Sequence, residues 1–459
     1  MRNAVESTVH SLRQRRIRLR RRQSTDKSLA TLWTMDHGRW TCFWFCVFSL
    51  WFCAHTGPTW GEASEQVSAE AQPDWPTVIA QLRQQLDQMP GQATTRKQLA
   101  IAYNNYAVSL ADQGRLIEAT QQLQEAIRID PSNSQFHTNL VRLELQAAQL
   151  AYQAYQREQA KEAIHRALAV DPNSADAYVL LGEIEYHSQR LKEAKAAWQT
   201  ALAIDPSLTE VRKKLEQLNQ ELPVESKFER LSQVYFDIRY TEALERPAGF
   251  DIRDALLQAR RSIGGDVAFW PKHKLVVLIY SAEQFRRLRQ DTPDWVAGQY
   301  DGKIRLPLPG QDLDRDAVTR ILFHEYTHAI IHELTKGQLP TWLNEGLAEY
   351  EAWKQRDPPW RTLRQAFAEE RVIPWANLSA QFSSSLPAQE VALAYEQSHS
   401  IAHYLVERYG FWRLRRVLQA VAAGTSLEDA LTKELHIKLT RLESDWRKWL
   451  EGRLATQPF

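Results

Sequence analysis

The sequence predicts an all-α array of helical repeats followed by a mixed α+β domain, and three observations lead to this prediction. An Asp-Pro pair recurs through the first half of the chain, where the apolar residues have helical spacing. After Pro223 the pattern changes to short runs typical of strands. Two histidines four positions apart then lie in a second helical stretch.

The composition is that of a folded protein, with 44% hydrophobic and 25% charged residues among 459. The net charge is +1, so the overall balance gives no reason to expect a nucleic-acid partner. The N-terminal segment, residues 1–63, is different. Seven of the ten residues from Arg13 to Arg22 are arginine, and an uncharged apolar run follows from Trp40 to Ala54.

That apolar run is too short for a typical membrane span. As a helix its fifteen residues extend about 22 Å, against a hydrocarbon core of about 30 Å. We expect a secretory signal cleaved at Gly61-Glu62-Ala63, with Met35 as an alternative start, or else an uncleaved membrane anchor. Either reading places the mature chain outside the cytoplasm or on a membrane, in a periplasm or cell envelope. An intracellular protein is the remaining alternative.

The three cysteines, Cys42, Cys46 and Cys53, all lie inside this apolar run. A mature chain cleaved after the run therefore contains no thiol and no disulfide. Any metal site in that chain must use histidine and carboxylate ligands.

Residues 75–222 are predicted to form a helical repeat domain. The prolines of the recurring pairs, Pro131, Pro172 and Pro206, are 41 and 34 residues apart, and 34 is the tetratricopeptide period. The first and third units resemble that family strongly and the middle one, with seven extra residues, less so. The matching small and large residues are Tyr103, Tyr106, Gly114, Ala119, Leu123 and Ala126, then Ala160, Ile164 and Ala167, then Tyr178, Leu181, Gly182, Ala194, Trp198 and Ala201. Such repeats either bind a protein partner or peptide in their groove or only pack and space the chain.

Residues 225–452 are predicted to form the α+β domain. We expect strands at 234–240 and 274–280, a helix at 251–263 and a short strand at 302–306. The last strand precedes the helix that carries the two histidines. At 304–306 it is either an edge that holds an extended peptide by β-augmentation or an ordinary sheet edge.

The motif His324-Glu325-Tyr326-Thr327-His328 places two imidazoles on one face of a helix. Glu325, beside the first histidine, can accept a proton from an attacking water. Glu345 follows 17 residues after His328, early in a second helix that begins near Pro340. His324, His328 and Glu345 then form a His₂Glu set suited to one catalytic zinc ion. Glu349, one turn further, is placed to orient a ligating histidine.

This arrangement resembles the gluzincin pattern, the thermolysin-like group of zinc peptidases. The phrase Trp342 to Tyr350 resembles bacterial peptidase families of that clan that are often joined to tetratricopeptide repeats. The resemblance implies a tetratricopeptide solenoid followed by a zincin-like metalloprotease domain. It also implies one Zn²⁺ per chain on His324, His328 and Glu345, with Glu325 as general base and a peptide or protein as substrate. Glu349 matches a position that is aspartate in the best-known gluzincins.

The resemblance also points to a donor for the oxyanion in the downstream stretch 394–404. Tyr395 is the first choice and His399 the second; alternatively this stretch only packs beneath the site. His332 extends the histidine face, but no glycine turn precedes it as in metzincins, so we expect a structural role for it.

Two other functions remain open at this point. The zincin domain is inactive or structural on a repeat scaffold, or it hydrolyses an ester or a non-peptide amide with the same activated water.

Overall fold

The computed structural model describes residues 73–242, 246–289, 299–308, 315–354, 360–383 and 385–456. The basic segment, the apolar run, its cysteines and the expected cleavage site all lie outside these residues. Among the helices of the described ranges, none combines the length and the apolar character needed to cross a bilayer.

The first part of the described chain is a series of paired helices. Each helix that precedes an Asp-Pro pair ends one residue before the aspartate, as predicted for helices stopped by proline. The helices are α1 (Trp75–Gln88), α2 (Ala93–Asp112), α3 (Leu116–Ile129), α4 (Ser134–Gln153), α5 (Arg157–Val170), α6 (Ala175–His187), α7 (Leu191–Ile204) and α8 (Thr209–Glu225).

Small residues allow the paired helices to approach closely. A Cβ atom on Gly182 of α6 would lie 2.2 Å from the Trp198 ring of α7. Trp198 fills the space beside the glycine, while Ala194 and Ala201 on the same helix are fully buried. Gly182 and these alanines therefore serve packing, as the sequence predicted. Gly114 does not, because its φ is 76° and no atom lies within 4 Å of an ideal Cβ there, so it serves the turn between α2 and α3.

Helix α8 does not end at Pro223, where the sequence predicted a break. It continues through the proline to Glu225. Pro223 lacks an N–H group and removes one helical hydrogen bond. Tertiary contacts hold the last turn in place, because Val224 and the carboxylates of Glu221 and Glu225 are all buried against the following domain.

The second part of the described chain contains a five-stranded sheet in the order β1-β2-β3-β5-β4. The β2–β3 and β3–β5 pairs are parallel, and the outer two pairs are antiparallel. The strands are β1 (Glu229–Ser232), β2 (Phe236–Tyr240), β3 (Leu275–Ser281), β4 (Gln299–Tyr300) and β5 (Ile304–Leu308).

Strand β5 is not the outer strand of this sheet, which corrects the expectation of an edge at 304–306. Gln299 and Tyr300 of β4 pair with Arg305 and Ile304. The central strand β3 is buried over its first six residues because both of its faces are covered, which explains its uninterrupted apolar sequence.

Helices cover the sheet and complete the core of the domain, which is continuous from β2 to the last helix. They are α9 (Arg246–Val267), α10 (Ala282–Leu288), α11 (Arg315–Thr335), α12 (Thr341–Trp353), α13 (Arg361–Ala368), α14 (Trp375–Leu378), α15 (Ala388–Ala422, interrupted at Gly410), α16 (Leu427–Leu435) and α17 (Leu439–Thr456).

Candidate metal centre

Two helices that pack on each other form the site. Helix α11 carries the HExxH residues and ends at Thr335, where Lys336 and Gly337 take positive φ values of 54° and 71° and turn the chain. Helix α12 begins after Pro340 and carries Glu345 in its second turn. The turn brings the two helices together, so residues far apart in sequence meet at one point.

The three residues predicted as metal ligands point nitrogen and oxygen atoms at the same place. The Nε2 atoms of His324 and His328 are 3.0 Å apart. Oε2 of Glu345 is 3.5 Å from each of them. Among the described residues, this is the group of histidines and carboxylates that can hold a metal ion.

This triangle fits zinc. Ligand atoms about 2.0–2.2 Å from a tetrahedral ion are separated by roughly 3.3–3.6 Å, close to the observed distances. Oε2 of Glu345 is also buried without a hydrogen bond to any described residue. A buried carboxylate oxygen without a partner is costly, and a cation between it and the two imidazoles would remove that cost.

Glu349 lies where the sequence predicted, behind the first histidine. Its Oε1 is 3.0 Å from Nδ1 of His324, and its Oε2 accepts a hydrogen bond of 3.0 Å from the Trp353 indole. With Nδ1 of His324 donating to Glu349, Nε2 keeps its lone pair for the cluster.

The carboxyl and imidazole groups of the site strongly shift one another's pKa values. Burial alone would raise the pKa of Glu345, but the facing His328 and His324 outweigh it and lower that pKa far below its usual range. Burial likewise opposes protonation of His324, yet Glu345 and Glu349 raise its pKa well above the ordinary value. Glu345 and Glu349 are therefore ionised, and their negative charge favours a cation or a protonated imidazole beside them.

Glu325 lies beside this cluster and is only 3% exposed. Its Oε2 atom has no hydrogen-bond partner in the described parts of the chain. Burial raises the pKa of Glu325, although His324 and His328 act in the opposite direction. A carboxyl group with a raised pKa beside a metal site is suited to take up and return a proton.

Tyr395 of α15 reaches the same site. It lies close enough to Glu345, Glu349 and Glu325 for all three carboxyl groups to act on its pKa. Burial, together with the charges of Glu345, Glu349 and Glu325, raises the pKa of Tyr395 well above its usual value. The phenol therefore stays protonated and remains a hydrogen-bond donor.

The other histidines named from the sequence have different surroundings. His399 is 3% exposed, and its Nδ1 accepts a 2.8 Å hydrogen bond from the Trp360 indole. It lies close enough to Glu349 to lower the pKa of that carboxyl. His332 is outside the ligand triangle and packs against Tyr300 and the Gly337 turn.

Gly346 was not singled out from the sequence. A Cβ atom at this position would lie 2.4 Å from the backbone oxygen of Ser398 on α15. The neighbour of Glu345 must therefore be glycine for α12 and α15 to approach this closely. Gly346 stands directly after the predicted ligand, but a contact with Ser398 has no local sequence signal.

Comparison with known proteins agrees with this organisation. Residues 310–452 match the family model described as Peptidase MA superfamily, and residues 100–133 and 145–208 match tetratricopeptide repeat models. The chain therefore combines tetratricopeptide repeats with a domain of the Peptidase MA superfamily.

No curated protein matches the chain. Among solved structures it is similar to the first TPR of Spaghetti (RPAP3) bound to the HSP90 peptide SRMEEVD. The identity is 22%, the match covers 28% of this chain and 95% of the other, and the TM-score is 0.22. At these values the likeness says nothing about what this chain binds.

Proposed function

We propose that this protein is a zinc-dependent metallopeptidase that hydrolyses peptide bonds. The observation that carries the proposal is the convergence of His324, His328 and Glu345, with ligand atoms 3.0 Å and 3.5 Å apart. The match to the Peptidase MA superfamily supports it.

In this mechanism each side chain of the site has a separate role. Zinc held by His324, His328 and Glu345 would polarise a carbonyl group and lower the pKa of water. Glu325 takes a proton from the attacking water, whose oxygen forms a bond to the carbonyl carbon. The same carboxyl then gives that proton to the amide nitrogen as the carbon–nitrogen bond breaks. Tyr395 donates a hydrogen bond to the negative charge that develops on the carbonyl oxygen.

The first test is zinc content and turnover of wild type, His328→Ala and Glu325→Gln. Wild type should hold one zinc ion per chain and cleave casein or mixed peptides in a chelator-sensitive way. His328→Ala should lose the metal because one of three ligands is gone. Glu325→Gln should keep the zinc and lose at least about a hundredfold in kcat, because it removes the base alone. Full turnover by Glu325→Gln would exclude Glu325 as the base.

The same measurement separates the other functions. Zinc without cleavage of peptides, but with cleavage of ester or cell-wall amide substrates, would favour a non-peptide hydrolase. Zinc without any turnover, with partner capture by the repeats, would favour an inactive scaffold. Absence of zinc from the wild-type protein would refute the proposal.

We further propose that the protein is exported or anchored at the bacterial cell envelope by its N-terminal segment. The support is the arginine-rich run followed by the apolar run from Trp40 to Ala54. Fractionation of cells that express the full chain tests this, with accumulation in the soluble cytoplasm as the contradicting result. We also propose that the repeats bind a protein partner, and the tetratricopeptide matches support this.

A further inference from the structure

The turn between β4 and β5 packs against the repeat array. Its contacts are made by α6 and α8, the first helices of the last repeat and of the terminal unit. First helices line the inner face of such a solenoid, and the neighbouring first helices α4 and α6 contact each other directly here. This inner face is where repeat proteins of this kind bind their partners.

Arg305 of β5 is the centre of the contact and is fully buried. Its Nη1 donates to Oε1 of Glu225 at 2.9 Å and to the Tyr280 hydroxyl at 2.6 Å. Its Nη2 donates to the Tyr186 hydroxyl at 2.8 Å, and its Nε donates to Asp301 at 3.1 Å. Two of these four partners, Glu225 and Tyr186, belong to the array.

The rest of the turn fits the array equally closely. Lys303 is also fully buried, and its Nζ donates to Oε1 of Gln189 at 2.7 Å while lying 3.6 Å from the centre of the Tyr186 ring. Gly302 has a φ of 90°, and a Cβ atom there would lie 2.8 Å from the His187 ring. The turn therefore needs both its basic side chains and its glycine at this surface.

A second contact links the array to the metal-site helix through His273. Tyr155, in the turn between α4 and α5, stacks on His273 with ring centres 3.9 Å apart and planes 6° from parallel. Nε2 of His273 is 3.5 Å from the carboxylate of Glu333 on α11. The array thus contacts β5 directly and is linked through His273 to the helix that carries His324 and His328.

These contacts compensate a large desolvation cost. A fully buried arginine and lysine are tolerated only where carboxylates and hydrogen-bond acceptors surround them. Within 4 Å of the Arg305 guanidinium, the acidic partners from the array are Glu221 and Glu225, while its own domain supplies Asp301. All described residues accordingly belong to one compact unit.

We propose that the inner face formed by Tyr186, Glu221 and Glu225 is the receptor for the chain's own basic turn, Gly302–Arg305, so that the array positions β5 beside the metal-site helix. Here the repeats are a structural part of the catalytic domain. A basic peptide from another protein binds this stretch only by displacing the turn.

The test is backbone hydrogen exchange in the full chain, measured by mass spectrometry for Glu225→Gln and a matched control, Glu144→Gln. Both variants replace a buried carboxylate of the array, but Glu144 pairs with Arg166 inside the array. Glu225→Gln should speed exchange at residues 304–306 by roughly tenfold or more, because it removes a charged hydrogen bond that holds β5. Glu144→Gln should leave that exchange at the wild-type rate.

If Glu225→Gln loosens the whole domain, exchange in α17 becomes faster as well. A second pair of variants then tests the same contact from its other side. Arg305→Lys keeps the charge and loses the forked hydrogen bonds, so exchange should rise in the last turn of α8. Its control is Arg166→Lys. The proposal is overturned if neither Glu225→Gln nor Arg305→Lys changes exchange across the contact more than its control does.

Discussion

The position of Glu345 beside His324 and His328 depends on the glycine that follows it. An ideal Cβ on Gly346 would lie 2.4 Å and 2.8 Å from the backbone oxygen and carbon of Ser398. These are backbone atoms of α15, which cannot rotate away as a flexible side chain can. The same helix carries Tyr395, so the spacing between α12 and α15 also sets the distance from Tyr395 to Glu345.

Gly346→Ala should therefore weaken metal binding as well as stability. We expect a loss of about 1–3 kcal/mol in the free energy of unfolding, as for other overpacked sites. Zinc affinity should fall because Glu345 moves with its helix. Urea unfolding and competition with a chromogenic chelator measure the two effects.

The control for this prediction is Gly265→Ala, a helical glycine of α9 with no atom within 4 Å of its ideal Cβ. This variant should be neutral or more stable by about 0.5–1 kcal/mol, since alanine is the better helix former. Unchanged zinc affinity in Gly346→Ala would show that the helix spacing does not set the ligand position.

At the scale of elements, helix α11 carries a second buried carboxyl group beyond the metal site. The side chain of Glu333 is 3% exposed and lies at the contact with the array. Burial raises its pKa from 4.5 to about 8, although Arg157 and Arg260 act in the opposite direction. The folded protein therefore holds a proton on Glu333 at pH values where the unfolded chain has released it.

Such a group makes stability fall as pH rises from about 5 to about 8, by at most about 1.4 kcal/mol per pH unit. Glu333→Gln should remove this contribution, so its free energy of unfolding should depend less on pH across that window. Relative to wild type, the variant should gain most in free energy of unfolding at the upper end of this pH range. Urea unfolding at several pH values measures it, with the exposed Glu216→Gln of α8 as control. A variant curve parallel to that of wild type would contradict the pKa shift.

The elements also differ in how well their sequences predicted them. Strand β3 was predictable because it is buried on both faces and is apolar throughout. Strand β1, Glu229–Ser232, was missed because it is mostly exposed and polar, and pairing with β2 specifies it. The two-residue β4 is too short for any periodicity. The metal-site helices were predictable because HExxH and the Pro340 start are local signals.

At the scale of the whole molecule, the sequence predicted two parts but not how they meet. The contact between Arg305 and Glu225 joins residues 80 positions apart. Buried ion pairs of this kind leave no periodic pattern in the sequence. Each charged residue, taken alone, would be predicted to lie on the surface. The sequence left open whether the repeats bind a partner or only pack, and it gave no sign that the array near α8 contacts Lys303 and Arg305 of the same chain.

This contact makes the result of shortening the chain depend sharply on where it is cut. Removal of residues up to 133 takes away α1–α3 and leaves Tyr186, Glu221 and Glu225 in place. Removal of residues up to 226 leaves Arg305 and Lys303 without their partners from the array. It also exposes Val276, Leu278 and Phe285, which form one apolar cluster with Val224 of α8. Exposing a large apolar side chain costs about 1.5–3 kcal/mol, so the loss is a large part of the stability of a typical domain.

We therefore expect the shorter deletion to give a soluble protein that binds zinc, and the longer one to give an aggregating or molten product with little zinc. Soluble yield, near-ultraviolet circular dichroism and zinc content distinguish the two. A residue 227–459 fragment that folds cooperatively and holds one zinc ion would show that the Peptidase MA domain does not depend on the array.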